Sequence, residues 1–359
     1  MQELGVHLET CTSEASAAAM LGASINYPLR GAVSWKSVVG TNVAADALSN
    51  LASSGVMGGT MIILGEDYGE GASIIQERSH GFAMKSTMWL MDPRPELPTM
   101  VRMVEKGFEM SEVSSTPVMM ELRIRTCHVY GSFEAKDNRS GVRSGLNQIE
   151  KADFDYGRLA HPPSSFAQEK HKVEVRRPNA EKFIIDNGLN EFTHGARGDI
   201  GLILQGGLFN TVQRALSMLG LGDAFGGAEI PRLVLNVVHP LVPREIERFC
   251  AGKQAVLVIE EGNPEFIEQQ INMILRKADL QTRIHGKDCL PMAGEYRTEV
   301  LLDGLAKFLK AAAPGKCPGS PTIRTHPGTS MATCCRRAAR RASRWRLNFR
   351  RARRTTLLV

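Results

Sequence analysis

Long apolar runs are missing from this 359-residue sequence, and no apolar stretch approaches the length that a bilayer-spanning helix needs. The N-terminus, MQELGVHLET, has neither a basic leader nor an apolar core, so no export signal is expected. No GxxxxGK(S/T) motif occurs, which argues against a P-loop nucleotide hydrolase. These absences favour a cytoplasmic protein without a membrane anchor.

Paired cysteine motifs are also missing. The seven cysteines are an odd number at irregular spacing in a long chain, which argues against a disulfide framework. Without a CxxC pair, the sequence contains no complete iron–sulfur motif and no common zinc finger. We therefore expect reduced thiols and no metal site, even at the tail segment that combines Cys317, Cys334 and Cys335 with His326.

Acidic residues are absent from Lys316 to Val359, where twelve residues are basic. Removing those twelve from the 44 basic residues leaves fewer than the 38 acidic ones, so the rest of the chain is acidic despite a net charge of +6. The tail, rich in Arg and Ala, has no credible core. Its composition is typical of a shifted reading frame in GC-rich DNA. The alternative is a basic tail that tethers nucleic acid, which we do not favour.

Apolar periodicity divides the chain into four parts. Alternating helical and short apolar patterns predict an α/β fold with two open, mainly parallel-sheet domains, at 1–126 and 181–312. The residues between them, 127–180, lose this periodicity and are predicted to be a linker. The irregular basic tail, disordered or frameshifted, covers 313–359.

Individual elements follow from the same patterns. The sequence predicts strands at Gly31–Trp35 and Gly58–Leu64 and a single strand at Leu233–Val238. Apolar spacing predicts helices at Leu97–Glu112 and Pro264–Lys277. The glycines of HGARGDIGLILQGG do not match a dinucleotide fingerprint, so we interpret them as closing a strand-to-helix turn.

Several segments together resemble the indolepyruvate:ferredoxin oxidoreductase family, which depends on thiamine diphosphate. They run in family order over residues 8 to 310: TSEASAAAMLGASINYPLRGAVSWKSVVGTNVAADALSNLASSGV, IILGEDYGEGASIIQERSHGFAMKS, WLMDPRPELPTMV, TPVMMELRIRTCHV, VLVIEEGNPEFIEQQIN and HGKDCLPMAGEY. The resemblance implies a thiamine-diphosphate PYR-like domain followed by a transketolase C-terminal-like domain. The family's third, PP domain would bind Mg²⁺ and the diphosphate, and this chain reaches only its opening motif, at KCPGSP. The family also has a strand and a loop before the glutamate helix, so the chain is expected to be a fragment cut at both ends.

The resemblance implies oxidative decarboxylation of an aryl 2-oxoacid such as indolepyruvate, with CoA as acyl acceptor and ferredoxin as electron acceptor. Iron–sulfur clusters would belong to the full enzyme and not to this chain. The expected partners are a PP-domain or gamma-type subunit and a second copy of the chain, and alone the chain is expected to be inactive. A non-catalytic α/β dimerisation scaffold is the alternative.

Glu14, in SEASAAA, matches the family glutamate that hydrogen-bonds pyrimidine N1′ of the cofactor, which makes it the predicted catalytic residue. From physical chemistry alone, Glu14 would be a stabilising acid at a helix N-terminus, after a cap at Thr12 or Ser13. The resemblance favours the catalytic role.

Further cofactor contacts are predicted in loops that follow strands, where α/β domains bind ligands. The candidates after the first domain's strands are Lys36, Asn42, Glu66, Ser73 and Gln76. The polar residues at strand ends of the second domain are instead predicted to shape turns and interdomain contacts (His239, Pro240, Glu260, Glu261).

Overall fold

The structure is a computed structural model that describes residues 6–66, 68, 75–136 and 154–312, together with a strand at 355–358. The rest of the basic tail, including the cysteine- and histidine-containing segment, lies outside the described residues. No helix of the described ranges combines the length and apolar character required to cross a bilayer.

Twelve strands are described. In chain order they are β1 Leu8–Cys11, β2 Gly31–Lys36, β3 Thr60–Gly65, β4 Trp89–Met91, β5 Val118–Leu122, β6 Glu191–Thr193, β7 Ile200–Gln205, β8 Arg232–Leu235, β9 Val237–His239, β10 Ala255–Ile259, β11 Arg283–His285 and β12 Thr355–Leu358.

Twelve α-helices accompany them. They are α1 Glu14–Met20, α2 Val39–Val43, α3 Ala45–Ser54, α4 Ser79–Ser86, α5 Leu97–Ser114, α6 Ile124–Cys127, α7 Ser164–His171, α8 Arg177–Asp186, α9 Phe209–Met218, α10 Pro243–Cys250, α11 Phe266–Lys277 and α12 Thr298–Ala312. Short 3-10 helices cover Leu21–Ile25, Tyr156–Arg158 and Gly206–Leu208, and a π-helical stretch covers Lys172–Arg176.

The strands form two mainly parallel sheets, which confirms the predicted fold class. The first has the order β1-β12-β2-β3-β5-β4-β9, and its parallel centre runs from β2 to β4. The second has the order β11-β10-β7-β8-β6, parallel except for the edge strand β6. Helices cover the sheets, so central strands such as β7 and β10 are buried along their whole length. Such strands appear in the sequence as continuous apolar runs.

The predicted single strand at Leu233–Val238 is wrong in one respect. The chain makes two strands there, because Asn236 interrupts the run between β8 in the second sheet and β9 in the first. The Asn236 side chain donates to the carbonyl oxygen of Leu189 and to Glu191, at 2.9 Å each. The chain therefore passes from the second sheet to the first at Asn236.

The predicted linker also contains regular structure, since α7, the π-helical stretch and the start of α8 lie within it. This helical segment has few apolar anchors because it lies on the surface, and in α8 only Ala180 and Ile184 are buried. The buried Arg176 fixes it to the first domain by donating to the carbonyl oxygens of Ala52 and Ser54 at the end of α3, at 2.9 and 3.3 Å. A cation at a helix C-terminus satisfies carbonyls that have no intrahelical partner.

Candidate functional site

Most of the predicted site lies along one edge of the first sheet. Strands β1 and β2 are both antiparallel to β12, so they run in the same direction, and their register sets Cys11, at the end of β1, level with the end of β2. Glu14 follows β1, Lys36 ends β2 and Glu66 follows β3. These residues share the carboxyl edge of the sheet, where open α/β folds bind ligands.

Glu14 begins α1, and Ser13 is the N-cap, whose hydroxyl accepts the backbone N–H of Ala15 at 3.2 Å. Ala17 and Ala18 are buried, and their small size lets α1 pack against α3. The Glu14 side chain is half-buried. Among the described residues it makes no hydrogen bond or ion pair, so its carboxylate is available to a ligand.

The other predicted site residues do not gather around Glu14. Lys36, Asn42 and Gln76 are all exposed. Asn42 donates to the carboxylate of Glu77 at 3.2 Å, which brings the start of the helical region after β2 next to the segment that contains Gln76. No described hydrogen bond joins these residues to Glu14, and Ser73 lies outside the described residues.

Glu66 is buried and its carboxylate is surrounded by protein donors. It accepts hydrogen bonds from the hydroxyls of Ser37 and Tyr68 and from the backbone N–H of Ser79, the last at 3.1 Å. These donors come from the ends of β2 and β3 and from the first residue of α4. Glu66 therefore holds three loops of the carboxyl edge together, and a direct contact between Glu66 and a cofactor stays a prediction.

Buried ion pairs join this edge to the second domain. Arg78 contacts Glu260 at 2.5 Å, and both side chains are about 1% exposed. The Arg123 guanidinium pairs with Asp92 at 2.6 Å on its own sheet and with Glu261 at the end of β10. Glu260 also accepts the backbone N–H groups that begin α11. The carboxyl edges of the two sheets therefore face each other at these pairs.

Of the polar residues predicted at strand ends of the second domain, Glu260 and Glu261 make contacts with the first domain, through the pairs just described. His239 instead lies in β9 of the first sheet, and its ring lies near Trp89 and His80 of that sheet and its helix, with ring centroids 6.2 and 6.0 Å away. The predicted glycine turn is also confirmed, because Gly206 continues directly from β7 into a 3-10 turn. A Cβ atom on Gly206 would lie 2.2 Å from the carbonyl oxygen of Asp92, so the close approach of the domains requires glycine.

The buried cluster at the facing edges contains more carboxylates than cations, which are Arg78 and Arg123. This excess of negative charge shifts the pKa values of its members. Burial raises the pKa of Glu121 well above its usual range, and the neighbouring carboxylates of Glu66 and Asp92 raise it further. Burial lowers the pKa of Arg123, but Asp92 and Glu121 outweigh it and raise that pKa overall. Burial and Glu121 also raise the pKa of Tyr68, whose hydroxyl is 3.3 Å from Glu121. The cluster therefore favours charged Arg123 and protonated Glu121.

The sequence predictions did not include Asp92, Glu121 or Arg123, although a signal was present. Each lies within or directly after an apolar strand, a position where a polar residue is unusual unless it is paired. The partners are distant in sequence, since Arg123 and Glu261 are 138 residues apart. The sequence pattern could therefore single out these polar residues, but it could not predict which residues they contact.

Solved structures define the class of fold. A 2-oxoglutarate:ferredoxin oxidoreductase from Magnetococcus marinus matches with a TM-score of 0.52 at 15% identity, covering 83% of this chain and 56% of that chain. The two mainly parallel sheets of this chain therefore share the fold of the matched part of that structure.

The curated relatives are more specific. Indolepyruvate oxidoreductase subunit IorA of Methanothermobacter thermautotrophicus is 26% identical over 335 residues, which cover 88% of this chain and 52% of the relative. The subunit of the same name from Pyrococcus abyssi is 25% identical over 313 residues, covering 86% and 46%. No family model matches the chain. The chain is similar to these indolepyruvate oxidoreductase subunits, in agreement with the resemblance that its motifs predict, and it spans about half the length of the curated relatives it matches.

Proposed function

We propose that the chain is the pyrimidine-binding part of a thiamine-diphosphate-dependent 2-oxoacid oxidoreductase and that Glu14 is its catalytic carboxylate. The observation that carries the proposal is the position of Glu14 at the carboxyl edge of the first sheet, half-buried and without a described protein partner. An acid at a helix N-terminus stabilises the helix through its dipole without a partner, so the position at the ligand-binding edge of the sheet is what favours a contact with a ligand. Ser13 already caps α1.

These residues fit the cofactor's aminopyrimidine ring. The carboxylate of Glu14 would hold a proton between its oxygen and the ring nitrogen N1′. Lys36 at the end of β2, Asn42 in α2 and Gln76 are exposed in the same domain and would contact the ring or the substrate, as would Ser73. When bound, thiamine diphosphate supplies the nucleophilic carbon for the reaction. Glu66 and its three donors would keep these loops in place while the ligand binds.

The finer parts of the proposal rest on the resemblance of the sequence motifs; indolepyruvate, ferredoxin and CoA also appear in the names of similar proteins. The substrate would be an aryl 2-oxoacid such as indolepyruvate, with CoA and ferredoxin as the other reactants. Mg²⁺ and the diphosphate would be held by a PP-domain or gamma-type partner, and iron–sulfur clusters would carry the electrons. We also propose that the chain acts in the cytoplasm as a homo-oligomer and gives no turnover on its own.

The test compares Glu14→Gln with Glu9→Gln, since Glu9 is an exposed acid on β1 five residues away. Each variant would be combined with a polypeptide that supplies the remaining half of a relative, and viologen reduction would be measured with indolepyruvate, CoA, thiamine diphosphate and Mg²⁺. We expect Glu14→Gln to lower kcat by about 10²-fold or more, because proton transfer contributes rate factors of that order. Glu9→Gln should match the unchanged chain. Full activity of Glu14→Gln would disprove the proposal.

A non-catalytic scaffold is the second candidate, and the buried interdomain ion pairs favour it, because they join the two domains without any cofactor. The same experiment separates the two functions. A scaffold would tolerate Glu14→Gln in every assay. Turnover by the purified chain alone would contradict both the scaffold function and the need for a partner.

A further inference from the structure

Three possible metal ligands lie together at the carboxyl end of β11, in the second domain. His285 is the last residue of the strand, and Asp288 and Cys289 follow in the next turn. The His285 Nδ1 atom is 2.6 Å from Asp288 Oδ2 and 3.9 Å from Cys289 Sγ. The three donor atoms all lie within 4.8 Å of one another.

From this geometry we propose that His285, Asp288 and Cys289 bind a divalent transition-metal ion of the zinc or cobalt type. The proposal concerns a site separate from the thiamine chemistry and does not depend on it. One imidazole nitrogen, one thiolate sulfur and one carboxylate oxygen form a ligand set that suits zinc, which accepts all three donor types.

The spacing is close to what a tetrahedral ion requires. Bonds of about 2.0–2.3 Å imply ligand separations of about 3.4 Å between nitrogen and oxygen and about 3.6 Å between nitrogen and sulfur. The pair His285–Asp288 must therefore open by less than about 1 Å, and Cys289 must approach by a few tenths of an ångström. The Asp288 side chain is 55% exposed, and its other carboxylate oxygen accepts the backbone N–H of Gly286 at 2.8 Å. The adjustment is therefore a small rotation about that hydrogen bond, which must also bring the Asp288 oxygen toward Cys289.

The surroundings hold two of the ligands rigidly and leave the third accessible. His285 and Cys289 are 3% and 6% exposed, and the His285 ring packs edge-on against Phe308 with centroids 5.6 Å apart. The backbone N–H groups of Cys289 and Leu290 both donate to the carbonyl oxygen of Gly286, which folds the turn back on itself. The exposed side of Asp288 leaves room for a water molecule as the fourth ligand.

Binding is balanced in charge and in protons. The Cys289 thiol loses its proton to solvent, and the neutral His285 ring carries its remaining proton on Nε2, so that Sγ and Nδ1 both bind the metal. Thiolate and carboxylate neutralise the two positive charges of the ion. No oxidation or reduction is involved.

The site adjoins the interdomain contact. Between the ligands, Lys287 extends to the carbonyl oxygens of Glu260 and Gly262, at 2.6 and 2.8 Å. Glu260 is the partner of Arg78 in the first domain. A bound ion would therefore fix the turn that holds the end of β10 in position.

The test is a titration of the chelator-treated, untagged full chain with Co²⁺, followed by thiolate-to-cobalt absorption in the near ultraviolet. We expect one equivalent to bind with this absorption in the unchanged chain. Cys289→Ala should abolish the band, and Asp288→Asn should weaken binding by about tenfold or more, since a ligand is lost. The matched control is Cys250→Ala, which removes another buried thiol and should leave the titration unchanged.

A simple hydrogen-bonded turn is the competing explanation, and it gives a different result. No near-ultraviolet band in the unchanged chain would overturn the proposal, as would an unaltered band in Cys289→Ala, which would assign the metal to other cysteines. If Cys289→Ala fails to fold by circular dichroism, Asp288→Asn decides, because its side chain is exposed. Unchanged affinity in that variant would then overturn the site.

Discussion

Replacement of Arg123 by methionine tests whether the buried ion pairs hold the two domains together. The Arg123 side chain is 2% exposed, and its partners Asp92 and Glu261 are 1% exposed. Glu121 lies 3.5 Å from Nη2, the same guanidinium nitrogen that contacts Asp92. The variant keeps a long apolar side chain but removes the cation that Asp92 and Glu121 share, while Glu261 keeps Arg125 at 3.1 Å.

We expect Arg123→Met to lower the free energy of unfolding by about 3–5 kcal/mol near neutral pH, the usual cost of removing one partner from a buried pair. The loss should depend on pH. Burial raises the pKa of Glu121, and Arg123 opposes that rise, so without Arg123 the folded pKa lies still further above the unfolded value. The stabilisation from this group is present in acid and is lost as pH rises through the folded pKa. The deficit should therefore shrink from pH 8 to pH 5.

Urea unfolding followed by tryptophan fluorescence measures this effect, because Trp35 and Trp89 both lie in the first sheet. Arg177→Met is the matched control, since Arg177 is exposed and pairs with Glu181 one turn away at 2.8 Å. An exposed pair of this kind contributes less than about 1 kcal/mol. A deficit below about 1 kcal/mol for Arg123→Met, or a deficit equal at both pH values, would refute the reasoning.

Three further changes should alter stability in the same assay. Glu121→Gln mimics the protonated carboxyl group. Burial, Glu66 and Asp92 raise the pKa of Glu121. The variant should therefore be as stable as the unchanged chain in acid and more stable than it as pH rises. A relative loss at high pH would contradict this. Burial, with a smaller effect of Arg177, lowers the pKa of His239 from 6.5 to about 4, so the unchanged chain should lose up to about 3 kcal/mol from this site as pH falls across that range. His239→Gln should flatten that slope, and an unchanged slope would rule the explanation out. Gly206→Ala should cost about 1–3 kcal/mol through its clash with Asp92, whereas Gly198→Ala, with nothing within 4 Å of its Cβ, should be nearly neutral. Equal effects of the two alanines would argue against the close approach.

Local sequence patterns were sufficient to predict helices and strands whose apolar residues recur at regular spacing within one segment. The predicted helix Leu97–Glu112 corresponds to α5, and the predicted strand Gly31–Trp35 corresponds to β2. A cap at Thr12 or Ser13 followed from residue type and position, and the structure shows that it is Ser13. The sequence by itself therefore determined the two-sheet α/β class and the position of Glu14 at the start of a helix, because hydrophobic periodicity and capping act over a few residues.

Only the tertiary structure decided which polar groups are buried together. Glu66 and Lys36 had equal standing as loop residues, yet Glu66 is enclosed by three donors and Lys36 is exposed. The pairing of Arg123 with Glu261, and the transfer of β9 to the first sheet, join segments far apart in the chain. A polar residue after an apolar strand carries no local record of its partner, because desolvation and ion pairing depend on what the folded chain brings beside it.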